Sequence, residues 1–81
     1  MKIEVLGMGC TRCHQLEEQV RQALKELNIK AEVDKVADLD RISSYGVLMT
    51  PGLVINGKVY SSGKLPSVRT LKGWIEQESK K

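Results

Sequence analysis

The 81-residue chain of 9.0 kDa is long enough for one modest hydrophobic core and too short for a catalytic domain beside a separate cofactor domain, so residues 1–81 read as one domain. Hydrophobic residues at 41% and charged residues at 28% are the proportions of an ordinary globular protein, and the net charge of +3 is spread along the chain. With only Tyr45, Tyr60 and Trp74 aromatic and no basic cluster denser than Lys80 and Lys81, no nucleic-acid groove is expected; nor does any apolar run approach the roughly 20 residues of a membrane span or form a signal-peptide core, so a cytoplasmic location is expected.

Lys2 to Leu6 is short and β-branched, and Gly7 and Gly9 follow it, which predicts a strand and then a turn. From Thr11 to Asn28 the apolar residues Leu16, Val20, Ala23, Leu24 and Leu27 recur every three or four positions, the stripe of an amphipathic helix, with Asn28 as its stop. Ile29 to Ala37 suits a second strand, and Asp38 caps a short helix that ends before Gly46. Strand, helix, strand in this span is a βαβ unit with parallel strands and a right-handed crossover, which puts the cysteines at the carboxyl end of a strand. Gly52 to Tyr60 reads as two antiparallel strands around Asn56-Gly57, a strong hairpin signal. Ser61 to Lys64 is expected as loop. Pro66-Ser67 opens a last helix whose Val68, Leu71, Trp74 and Ile75 face inward and which Gly73 weakens by about 1 kcal/mol relative to alanine. The expected class is α/β: βαβ, a short helix, then ββα, a four-stranded mixed sheet with helices packed on it.

The only two cysteines, Cys10 and Cys13, are too close in sequence to act as a structural staple, because closing so short a loop removes little entropy from the unfolded chain. They are there for reactivity or for metal. At the start of the first helix, unpaired N–H groups and the helix dipole stabilise a thiolate at Cys10, and Arg12 adds a cation. The spacing of three puts both sulfurs on one helical face, so Cys13 can resolve a mixed disulfide formed at Cys10. Other chemistries use the same residues. A zinc site would need more ligands than these thiols and His14. Cys10 to His14 also has the form of a covalent haem attachment site, although no export signal and too small a core accompany it. Gly7-Met8-Gly9-Cys10-Thr11-Arg12-Cys13 is similar to the loop of heavy-metal-associated domains, whose thiolates take Cu(I), but those domains end in a strand. A cytosolic soft-metal carrier, for Cu(I) or Zn(II), is the alternative function.

Thr50-Pro51 ahead of Leu53-Val54-Ile55 adds a second motif, since a proline entering a sheet belongs at a strand start and a cis X-Pro bond belongs in a tight turn. A strand, Cys-x-x-Cys, a helix and a later Thr-Pro before a hairpin resemble the thioredoxin/glutaredoxin superfamily over nearly the whole chain. The branch of very small bacterial and archaeal redox-active disulfide proteins is the nearest in form. The resemblance implies a thioredoxin-like fold and a dithiol-disulfide oxidoreductase whose only redox group is the Cys10/Cys13 pair, with no bound cofactor or metal. It implies a cis Pro51 beside the disulfide and a Thr50 backbone that meets an extended substrate, with the Ser62-Gly63 segment bordering it. It matches Glu4, six residues before Cys10, to a buried acid that takes the proton of the resolving thiol. The partners implied are disulfide-bearing proteins or small molecules and a reductase of the thioredoxin-reductase type or another dithiol donor, the protein itself being a monomer. Two departures stand out: Gly9 and Thr11-Arg12 replace the usual Trp and Gly-Pro of thioredoxins, and Ser61 to Lys64 replaces the glycine pair and acids with which glutaredoxins hold glutathione.

Overall fold

The structure, a computed structural model, describes residues 1–7, 11–47 and 49–80. Seven elements follow one another: β1 (Lys2–Leu6), α1 (Thr11–Leu27), β2 (Glu32–Val36), α2 (Leu39–Ser44), β3 (Gly52–Ile55), β4 (Lys58–Ser62) and α3 (Val68–Ser79). They form one sheet in the order β2-β1-β3-β4, with β1 parallel to β2 and antiparallel to β3, and β4 antiparallel to β3. This is the α/β thioredoxin-like arrangement expected from the order of elements.

Strand alternation divides the core into two layers. Ile3, Val5, Leu53 and Ile55 face α1 and α3, where they meet Leu16, Val20, Ala23, Leu24, Leu71 and Ile75. Leu6, Val36 and Val54 face the other way, onto Ile42 of α2 and Val47. Each such fully buried aliphatic side chain contributes about 1.5–3 kcal/mol, so the stripes on α1 and α3 fix those helices to their side of the sheet.

The helix ends follow local chemistry. Asp38 accepts a hydrogen bond from the Asp40 N–H, and Ser67 accepts one from the Thr70 N–H, each capping the helix that follows. Asn28 ends α1 in the left-handed region at φ 56°, its N–H bonding to the Lys25 carbonyl and that of Ile29 to the Leu24 carbonyl.

Two sequence expectations need correction. The second strand spans only Glu32–Val36 rather than 29–37, because Ile29 is occupied in closing α1. Ser61 and Ser62 belong to β4 and not to a loop: they pair with Leu53 and Gly52 after a register shift between Leu53 and Val54 that leaves Tyr60 as the extra residue. Serine reads as a turn residue, yet a ladder already set by β3 overrides that preference.

Candidate functional site

The ends of four elements converge at one end of the central strands. β1 is followed by Gly7, whose N–H donates to the Val36 carbonyl at 2.9 Å. Because β3 runs antiparallel to β1, Gly52 lies opposite Leu6, and the Thr50-Pro51 step is delivered to the place where β1 ends. Since β4 runs antiparallel to β3, Ser62 and Gly63 arrive beside that step. The first turn of α1, with Arg12 and Cys13, completes the group.

Cys13 is 3% exposed, buried behind the start of α1. A β-carbon built on Gly7 would overlap its Sγ and would lie 3.9 Å from Thr50 Cβ, so only glycine after β1 leaves room for the sulfur. No acidic residue stands in the first turn of α1 to offset the positive end of the helix dipole. The Thr50–Pro51 peptide bond is cis. Pro51 is buried and Thr50 exposed. Cys10, together with Met8, Gly9 and Leu48, lies outside the described residues.

The segment after β4 braces the proline turn. The Gly63 N–H donates to the Pro51 carbonyl at 2.9 Å, and Ser62 Oγ donates to the Met49 carbonyl at 3.1 Å. Arg12 Nη2 lies 3.5 Å from the Gly63 carbonyl, joining α1 to the same segment. Gly63 has φ 73°, and a β-carbon there would come within 2.8 Å of Met49 Cβ, so the position admits glycine on both conformational and steric grounds. Met49, 65% exposed, lies over it. Cys13, Thr50, Pro51, Arg12, Ser62 and Gly63 are thus brought together at this end of the strands.

Glu4 is buried at 5% exposure, but on the α2 face of the sheet, the opposite face from Gly7 and Cys13. Its carboxylate accepts from Tyr45 Oη at 2.8 Å and from Arg41 Nη2 at 3.1 Å. That cluster was not visible in the sequence, where Tyr45 figures only as one of three aromatic residues. The carboxylate raises the Tyr45 pKa above its ordinary value of 10.0, first through the hydrogen bond, then through burial and through the repulsion a phenolate would feel. His14 is exposed, with Nδ1 3.5 Å from Lys35 Nζ. Among the described residues no three His, Cys, Asp or Glu side chains gather as a metal-binding group. No described helix is long and apolar enough to cross a membrane.

The family model of the thioredoxin domain matches residues 1–76 of this chain. The chain is 39% identical over 72 residues to a thioredoxin of Methanothermobacter thermautotrophicus, an alignment covering 89% of this chain and 94% of that protein. It is 40% identical over 70 residues to a thioredoxin of Methanocaldococcus jannaschii, covering 86% of this chain and 80% of that protein.

Proposed function

Since this chain belongs to the thioredoxin family, we propose that it reduces or exchanges disulfides through Cys10 and Cys13, with Cys10 attacking and Cys13 resolving. The observation that carries the assignment of roles is the burial of Cys13, 3% exposed and packed against Gly7, which leaves a bulky substrate disulfide no access to it. The first turn of α1 carries Arg12 and no acidic residue, which supports assigning the thiolate to Cys10, the residue just before that turn in the sequence.

The Cys10 thiolate attacks one sulfur of the substrate disulfide, the S–S bond breaks, and the first substrate thiolate leaves. Cys13, deprotonated, then attacks the Cys10 sulfur of the mixed disulfide. The Cys10-Cys13 bond forms, the second substrate thiolate departs and takes up a proton, and two electrons have passed from the dithiol to the substrate. A flavoenzyme of the thioredoxin-reductase type, or another dithiol donor, returns the pair to the reduced state.

The substrate segment runs along the Thr50 backbone in extended form, bordered by Ser62 and Gly63. The hydrogen bonds from Ser62 and Gly63 to Met49 and Pro51 support this reading, because they stiffen the turn a substrate would meet. Glu4 has no step here, its carboxylate being held by Arg41 and Tyr45 on the other face.

Alkylation of single-cysteine variants tests the roles. Cys13→Ser is expected to keep rapid alkylation at mildly acidic pH and to accumulate mixed disulfides with a protein substrate, while Cys10→Ser loses both. The reverse pattern would exchange the two roles, and the absence of a two-electron midpoint for the parent protein in glutathione redox buffers would remove the exchange mechanism itself.

A further inference from the structure

A groove of about 540 Å³ lies between β4, the segment leading to α3 and α3 itself, a volume in the range of small-molecule sites. Its apolar wall is built from Tyr60, Leu65 and Trp74, the two rings packed at 5.4 Å between centroids and tilted by 43°. Ser61 also lines it, and this residue carries the odd feature of the region. Only 8% exposed, its Oγ is the one buried side-chain oxygen or nitrogen among the described residues without a hydrogen-bond partner. Leaving a buried hydroxyl unpaired is costly, and alanine would fit the same strand position without that cost.

The charge on the groove's own lining is positive, the buried Glu78 carboxylate behind Tyr60 being bonded to that tyrosine's hydroxyl and paired with Lys58. Lys64 lines the groove and has no ion-pair partner among the described residues, and none of the lining residues is acidic. Thr70, in the first turn of α3, lines it as well, and that turn has no acidic residue against the positive end of the helix dipole. An aromatic floor, an unpartnered hydroxyl and an uncompensated positive rim together describe a receptor for an amphipathic anion. We propose that the groove between β4 and α3 binds a small organic carboxylate with a ring or branched apolar body. The body lies on Trp74, Tyr60 and Leu65, the carboxylate faces Lys64, and a rotation of Ser61 turns its hydroxyl to donate to the ligand. The groove contains no cysteine; it meets the thiol site only at Ser62, which lines one and borders the other.

Trp74 is the sole tryptophan, so its fluorescence reports on the groove. Titration with 4-phenylbutanoate, followed by that fluorescence and by amide shifts in a two-dimensional NMR spectrum, is expected to saturate with changes concentrated at Ser61, Lys64, Thr70 and the Trp74 indole. The uncharged 4-phenylbutanamide should bind at least about fivefold more weakly, as should the carboxylate to Lys64→Ala, about 1 kcal/mol for one charge-assisted contact. Ser61→Ala should weaken binding while raising Tm, a combination a merely structural serine would not give. Shifts scattered over the surface or failing to saturate, equal binding of the amide, or a Ser61→Ala protein that binds as tightly as the parent would overturn the proposal. Lys64 is exposed, so its variant keeps the test open should Ser61→Ala not fold.

Discussion

Replacing Gly7 by alanine sets a β-carbon inside the space occupied by Cys13 Sγ, with Cys13 Cβ at 3.2 Å behind it. Gly7 is not among the glycines with positive φ, so its backbone suits any residue and the penalty is purely one of contact. Either Cys13 leaves its rotamer or the first turn of α1 moves away from β1. Forcing one extra carbon into such packing costs about 1–3 kcal/mol, a large share of a small domain's stability. For a domain of this length that is a drop in Tm of roughly 5–20 °C. Thermal unfolding by circular dichroism, with all proteins kept reduced, measures it. The cause is isolated by repeating the substitution in a Cys13→Ala background, where the sulfur is gone and a small shift accommodates the remaining contact. The cost should fall by at least half there, giving a coupling of about 0.5–3 kcal/mol between the two positions. A Gly7→Ala protein that melts within about 2 °C of its parent, or a penalty unchanged without the sulfur, would refute the reasoning.

Three further outcomes follow from the same structure. Gly73 lies within α3, and a β-carbon added there would meet nothing within 4 Å, so Gly73→Ala should stabilise by about 0.5–1 kcal/mol, read as a higher urea midpoint at unchanged slope. The raised Tyr45 pKa means the fold favours the neutral phenol, so its contribution is present below pH 10.0 and is lost as pH rises through the higher folded value. Phenolate absorbance in a Tyr60→Phe background should show that shift, and Glu4→Gln should bring Tyr45 back toward its ordinary value; a titration unaffected by the substitution would contradict the assigned cause. Glu78 is buried on α3 and accepts from Tyr60 Oη and, at 3.4 Å, from Asn56 Nδ2, with Lys58 Nζ at 3.8 Å. Glu78→Ala should cost about 1–3 kcal/mol in urea unfolding, since it removes the acceptor that ties α3 to the β3-β4 hairpin, and an unchanged midpoint would show the tie to be idle.

The sequence by itself determined the elements and their order. Periodicity marked the buried faces of α1 and α3, Asp38 and Ser67 marked helix starts, Asn28 marked a helix end, and Asn56-Gly57 marked the hairpin, because each of these signals is local and rests on the chemistry of a few adjacent residues. The spacing of Cys10 and Cys13, joined to Thr50-Pro51, was enough to place the family. Only the tertiary structure decided what those residues meet. Ser61 and Ser62 became strand because β3 offered them a ladder. Glu4 turned out to be held by Arg41 and Tyr45, about 40 residues away in sequence. Gly7, which read only as a turn residue, proved to be the wall against which the Cys13 sulfur rests. Contacts of this kind depend on strand register and on which face of the sheet each helix covers, and no window of adjacent residues encodes either.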